Sequence, residues 1–212
     1  MRLNPKVVDL SHYDDVETIH GQWTGFAKLK AAGYLGVINK CTQGRGMVDK
    51  TYALRRGPAE VAGLLYGAYH YMDKSDPSDQ ALHFLDQAKA DERTLVALDY
   101  EERGVPLSAA ATFMQVVKTR LGRYPWLYSG FLIKETLGNR KDPFWAGIKL
   151  WLSHYNINPT WPPNWTAPTL WQFTGDGVGP LPHTVPGITI PGGCDINSFD
   201  GTDQQLTAIW AT

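Results

Sequence analysis

The stretch Thr94–Gly104, TLVALDYEERG, is an apolar run that ends in acid. Four of the five residues from Thr94 to Leu98 are apolar, and Asp99, Glu101 and Glu102 follow within four positions. A short apolar run bounded by polar residues reads as a buried strand. Side chains alternate faces along a strand, so Asp99 and Glu101 share one face while Leu98 and Tyr100 share the other. Glu102 points away from that pair and reads as loop or surface.

Seven further runs have the same form: VVDLS (Val7–Ser11), GVINKCT (Gly36–Thr42), LLYGAYHYM (Leu64–Met72), PWLYSG (Pro125–Gly130), KLWLSHY (Lys149–Tyr155), TLWQFT (Thr169–Thr174) and CDINSF (Cys194–Phe199). Helical patterns separate the early ones. WTGFAKLKAAG (23–33) stops at Gly33, and KTYALRRGPAEVAG (50–63) is expected to break or restart at Gly57-Pro58. DPSDQALHFLDQAKAD (76–91) takes Ser78 as its N-cap, and LSAAATFMQVVKTRLG (107–122) runs from Ser108 as N-cap to Gly122 as stop. Strand and helix thus alternate to about residue 140, the pattern of parallel β/α units. Beyond it, INPTWPPNWTAPT (157–169) and GVGPLPHTVPGITIPGG (177–193) are too rich in Pro and Gly for ordinary helices, and only TDQQLTAIW (202–210) is helical again. Eight strands with about five helices predict an α/β fold, a (β/α) barrel with an incomplete helical ring. No polar linker divides it, so residues 1–212 read as one domain.

Catalytic groups of parallel barrels sit at the C-terminal strand ends. Asp9 ends the first run, Asp99 and Glu101 end the fourth, and Asp195 opens the eighth. Barrel closure makes strand eight a neighbour of strand one, with strand four opposite. Asp9 and Asp195 are then expected on one wall of a cleft and the Asp99/Glu101 pair on the other. Like charges in a semi-dry cleft push at least one pKa upward, as a general acid near neutral pH requires. Any one such acid could equally cap a helix or bind loop amides; four converging acids favour chemistry. The aromatic residues Tyr69, Tyr71, Tyr128, Trp151, Tyr155 and Trp171, with Gln172, fall at or near strand ends and are candidates for stacking on or hydrogen-bonding a sugar, against core packing as the alternative.

The composition narrows the classes. The 212 residues are 43% hydrophobic and 19% charged, with a formal net charge of −1, which leaves no electrostatic footprint for nucleic acid or anionic membrane. No run approaches the length of a membrane helix, and the start MRLNPKVVDLS lacks the apolar core of a secretory signal. A monomer made in the cytoplasm is expected. His12, His70 and His154 lie near strand ends without metal-binding spacing, so no metal or other cofactor is expected. Cys41 and Cys194 are separated by strand one in this strand order. Two strand spacings are about 9–10 Å, beyond disulfide reach, so both should be free thiols.

The ordered set VVDLSHYD, GLLYGAYHYM, LVALDYE, PWLYSG, LWLSHY, TLWQFTGDGVGPLP and CDINSFDG resembles glycoside hydrolase family 25, the Chalaropsis-type lysozymes or N-acetylmuramidases. The resemblance covers essentially the whole chain. It implies a flattened barrel with fewer helices than strands, and hydrolysis of the β-1,4 bond between N-acetylmuramic acid and N-acetylglucosamine in peptidoglycan. It also implies that Glu101 is the general acid, with Asp99 its partner in orienting the N-acetyl group or shaping the charge of the cleft. Asp9 and Asp195 match the family's other acids, which tune pKa values or hold substrate and water. One departure is Asp14, where the family often carries Gln, a change that bears on a rim contact. With no signal peptide and no wall-binding module, a phage endolysin released onto the wall is the expected context. The rivals are a chitinase-like or endo-N-acetylglucosaminidase barrel, whose longer acidic run is absent from TLVALDYE, and a glycan-binding barrel without catalysis.

Overall fold

The computed structural model describes residues 1–212. In chain order the first half contains β1 (Pro5–Leu10), β2 (Asp15–Val16), α1 (Thr24–Ala31), β3 (Gly36–Gln43), β4 (Met47–Val48), α2 (Lys50–Val61), β5 (Leu65–Tyr71), α3 (Pro77–Ala88) and β6 (Leu95–Asp99). The second half contains α4 (Leu107–Leu121), β7 (Trp126–Ser129), α5 (Phe131–Leu137), α6 (Pro143–Ala146), β8 (Leu150–Ser153), β9 (Leu170–Thr174), β10 (Ile188–Thr189), β11 (Asp195–Ser198) and α7 (Asp203–Ile209). All eight anticipated strands are present, and β2, β4 and β10 are two-residue additions at loops. No helix is long and apolar enough to cross a membrane.

The eight long strands close into a barrel in the order β1-β3-β5-β6-β7-β8-β9-β11 and back to β1. Neighbours from β1 through β9 pair in parallel, whereas β11 is antiparallel to both β9 and β1. The reason is the Pro/Gly-rich connection after β9. It holds no crossover helix to carry the chain back to the starting end, so the chain stays at one end and β11 runs down from there. This reversal fixes the site. An eighth parallel strand would start at the far end; the antiparallel one starts level with the C-terminal ends of the others, and Asp195 registers directly against Asp9.

Strand parity sorts the core into two layers. Inward residues Val7, Ile38, Leu95, Ala97, Trp126, Trp151, Leu170 and Phe199 fill the barrel, and Leu206 and Trp210 at the C-terminus plug its lower end. Trp210 donates its indole N–H to the Tyr66 carbonyl at 3.0 Å and meets Trp126 edge-on at 6.4 Å. It also lies over Gly36, where an added Cβ would come within 2.6 Å of the ring. Outward residues such as Val8, Leu98, Tyr100 and Phe173 pack beneath the helices.

Several local expectations change. The helix over 50–61 is continuous through Pro58, because the carbonyl deprived of its N–H partner belongs to Leu54, an exposed residue that water can serve. The N-cap of α3 is Asp76 rather than Ser78; its carboxylate accepts from the N–H groups of Ser78 and Asp79, with Pro77 in the first turn. Ser108 lies inside α4, which starts after Pro106 without a side-chain cap, while Gly122 ends that helix in the left-handed conformation as expected. The five anticipated helices are joined by short α5 and α6. Between β8 and β9 no helix forms, and Trp165 fills that place by donating to the Ile148 carbonyl at 2.7 Å.

Trp210→Ala should cost about 3–5 kcal/mol, the range for deleting a large buried aromatic. Thermal or urea unfolding measures it, and a loss below about 1 kcal/mol would show that the lower plug is dispensable.

Candidate active site

The cleft forms where inward-facing strand ends run out of apolar side chains. Asp9, Tyr69, Asp99, Glu101, Tyr128, Trp151, Tyr155, Gln172, Asp176 and Asp195 line one cavity of about 540 Å³. Parity delivers most of them: Asp9 follows Val7, Asp99 follows Ala97, Tyr128 follows Trp126 and Gln172 follows Leu170, each apolar residue facing the barrel interior. β6 ends at Asp99, yet Glu101 still reaches the cleft. The Tyr100 N–H donates to the Tyr128 carbonyl at 2.9 Å and the Tyr100 carbonyl accepts from the Ser129 hydroxyl at 2.7 Å, holding the chain in line beyond the strand.

Asp9 is held from two sides. The Gln172 amide donates to its two oxygens at 2.9 and 3.0 Å, and the Asn197 amide donates to Oδ1 at 2.7 Å. Both amides are themselves oriented: Gln172 Oε1 accepts from Tyr128 at 2.7 Å and Tyr155 at 2.9 Å, while Asn197 Oδ1 accepts from the Trp151 indole. Burial pushes Asp9 up to about 7 against the opposing pull of these donors, with Asp14 adding to the rise. Burial also pushes Asp195 up to about 9, reinforced by Asp9 and Asp176.

The opposite wall differs. Asp99 is buried, and its Oδ1 has no hydrogen-bond partner in the protein. Burial and then Glu101 raise its pKa well above the usual carboxylate range, while Lys40 pulls it down. Lys40 is itself a buried cation on β3; its ammonium donates to Gln43 at 2.7 Å and lies 5.1 Å from the centre of the Tyr71 ring. Glu101 stands at the mouth, exposed as a residue, with its carboxyl crowded by the cleft wall. That crowding out of water raises its pKa to about 7.

Nine of the eleven residues singled out from the sequence line this cavity. Tyr71 does not: it shares the inward face with Tyr69 but stands farther out, where its hydroxyl donates to Glu102 at 3.0 Å. Trp171 does not either, and that expectation is corrected. It neighbours Gln172, so parity turns it outward, where it is fully buried and donates to the His154 carbonyl at 2.8 Å. Asp176, Asn197 and Lys40 were missed. Asn197 was within reach, since it shares a face with Asp195; Asp176 sits in an irregular turn, at φ 52°, that no periodicity describes. Asp14 is no rim residue, for it is buried and its carboxylate accepts from the Ser11 N–H. Arg55 on α2 reinforces that loop by donating to the carbonyls of Ser11 and Asp14.

The histidines are in structural contacts. His70 is sandwiched between Thr42 at 2.7 Å and Gln80 at 3.1 Å, and burial lowers it to about 4, so it is neutral at physiological pH. His12 bonds Asp49 at 3.0 Å, and His154 accepts from the Thr160 N–H at 2.9 Å. Cys41 and Cys194 are free and buried, as the strand order required.

The chain is 30% identical to the protein YegX of Escherichia coli strain K12 over 91% of its own length and 73% of that relative. Among solved structures it is similar to a muramidase from Trichobolus zukalii (TM-score 0.78, 27% identity, 98% of both chains). It is likewise similar to a family GH25 lysozyme from Aspergillus fumigatus (TM-score 0.76, 27% identity, 97% of this chain and 98% of that one). The family model for glycosyl hydrolases family 25 matches residues 8–180, from the strand that carries Asp9 to the turn beyond Asp176. The chain is therefore a glycoside hydrolase belonging to family 25 of the glycosyl hydrolases.

Proposed function

We propose that this enzyme is an N-acetylmuramidase that hydrolyses the β-1,4 bond between N-acetylmuramic acid and N-acetylglucosamine, with Glu101 as the general acid. The convergence of Asp9, Asp99, Glu101 and Asp195 in one cleft carries the reading, together with the muramidases and lysozymes among its structural relatives. A proton donor has to keep its proton near neutral pH and still reach the substrate. Glu101 meets both conditions, because its carboxyl is raised to about 7 and it stands at the mouth of the cleft.

Its proton goes to the glycosidic oxygen as the bond from that oxygen to the anomeric carbon breaks. The acetamide oxygen of the muramic residue supplies the electron pair that the anomeric carbon loses, the substrate-assisted alternative to a protein nucleophile. Asp99 Oδ1, buried without a partner, accepts the acetamide N–H and turns the carbonyl towards that carbon. Water then opens the cyclic intermediate, and Glu101 recovers a proton from it. Asp9, Gln172 and Tyr128 form the fixed wall against which the sugar is set, and Asp195 next to Asp9 holds the substrate and the incoming water.

Glu101→Gln should lower wall digestion on the order of a thousandfold while the protein stays folded. The wild type should leave new reducing ends of N-acetylmuramic acid; reducing N-acetylglucosamine ends, or an active Gln variant, would refute the assignment. A raised carboxyl carries its proton below its pKa and loses it above. The wild-type kcat/KM should therefore fall as pH rises through about 7, and a profile flat well above neutrality would take the donor role from Glu101. Lys40→Met removes the charge that holds Asp99 down, so the acidic limb of the same profile should move to higher pH, with Lys40→Arg restoring it. An unmoved acidic limb in the Met variant would separate Lys40 from the chemistry.

A further inference from the structure

Behind the cleft wall, outside the barrel, lies a separate hollow. The His154 N–H donates to the Gln172 carbonyl at 3.1 Å, so the line of β8 persists past Ser153. Consecutive side chains then leave on opposite faces. Tyr155 turns into the cleft, where its hydroxyl donates to Gln172, and His154 turns the other way. There its Nδ1 accepts from the Thr160 N–H at 2.9 Å and from the Lys134 ammonium at 3.0 Å. Lys134, Asn139, Thr160, Trp161, Pro162 and Pro163 line the hollow, between the end of α5 and the segment that leads to β9.

The cation in this hollow is unpaired. Around the mouth of the cleft, Arg103 lies 3.9 Å from Glu135, Lys74 lies 3.8 Å from Glu102, and Lys40 acts on Asp99. Lys134 has no carboxylate partner: a neutral imidazole takes one of its N–H bonds and two are left over. Burial lowers its pKa, and no acid opposes that shift. Beside it the Trp161 ring is fixed, its indole N–H donating to the Trp165 carbonyl at 3.0 Å, and the two prolines extend the apolar strip. An ammonium with spare donors next to such a strip fits a short peptide that ends in alanine. The carboxylate meets Lys134 and the Asn139 amide, and the methyl groups lie on Trp161 and the prolines. The cleft itself is hostile to that anionic end, because five carboxylates line it and no cation does. In peptidoglycan the muramic residue carries a stem peptide, and four extended residues span about 13 Å, enough to cross one strand end. We propose that this hollow binds the carboxylate end of a stem peptide borne by the glycan strand in the cleft, and the proposal rests on the muramidase reading above.

The test compares soluble glycan strands that bear tetrapeptide stems with the same strands stripped by an N-acetylmuramoyl-L-alanine amidase. Lys134→Gln removes the charge and keeps a donor for His154. It should lower kcat/KM about fivefold on the stem-bearing strands and leave the stripped strands unaffected, with Lys134→Arg restoring the rate. Equal effects on the two substrates, or none on either, overturn the site. Binding is read separately by titrating isotope-labelled protein with the free tetrapeptide L-Ala–γ-D-Glu–L-Lys–D-Ala. The Trp161 indole N–H resonance should shift saturably in the wild type, less in Lys134→Gln, and less when the peptide's C-terminal carboxyl is amidated. No shift in the wild type, or an equal shift by the amidated peptide, overturns the site as well. A wild type inert on both kinds of strand refutes the muramidase reading instead, and the titration then judges the hollow by itself.

Discussion

A carboxylate withdrawn from water has to be given hydrogen-bond donors, and the donors supplied to Asp9 organise the open end of this barrel. Gln172 comes from β9 and Asn197 from β11, the two strands that close the barrel onto β1. The contacts that satisfy Asp9 thus stitch the same three strands together. They also orient the neighbouring aromatics, because each amide can donate to Asp9 only if its oxygen faces Tyr128 and Tyr155, or Trp151. Loss of one amide would take a donor from the buried carboxylate and the acceptor from one or more aromatic donors at once, which is why this wall acts as a unit.

The opposite wall is built on the contrary principle. Asp99 has a cation in its neighbourhood but an empty oxygen, and Glu101 has little besides the exclusion of water. One wall is saturated and fixed; the other keeps an unpartnered oxygen on Asp99 and a raised carboxyl on Glu101. The arrangement costs stability. Asp9, Asp99, Glu101 and Asp195 all have folded-state pKa values raised above their unfolded ones. The stability tied to these groups is present in full below the unfolded carboxylate range and is lost as pH rises through the folded values. The densely packed lower end, with Trp126 and Trp210 inside the barrel, stands against that cost.

How far the sequence could be read follows from periodicity. TLVALDYE showed its own parity, and the structure keeps it through Glu101. The same rule, applied to TLWQFT, admits only one of Trp171 and Gln172 to the cleft; choosing both by residue type set chemistry above geometry. CDINSF held Asn197 in plain sight on the face of Asp195. Lys40 could be placed on the inward face with Ile38, yet its proximity to Asp99 depends on β5 lying between their strands and on side-chain reach. Asp176 belongs to a turn whose course is set by glycines and by contacts made after the barrel closes, and no local signal marks it. The caps failed for a simpler reason: Asp76 and Ser78 are both good N-caps, and Pro77 decided between them by fitting the first helical turn.

Depth and partners favour Glu101 over its neighbours as the proposed proton donor. Asp99, on the final ladder position, is too deep to meet a leaving group outside the barrel. Glu102 faces Tyr71 and lies 3.8 Å from the Lys74 ammonium, contacts that spend its lone pairs on the protein. Glu101 lies between them, on the Asp99 face but past the last strand pairing, held in line by the bonds of Tyr100 to β7. An acid one pleat lower would be sealed in, and an acid on the other face would be neutralised. The alternation that ends an apolar strand in Asp-x-Glu gives the proposed proton donor a rigid base and an open front in two residues.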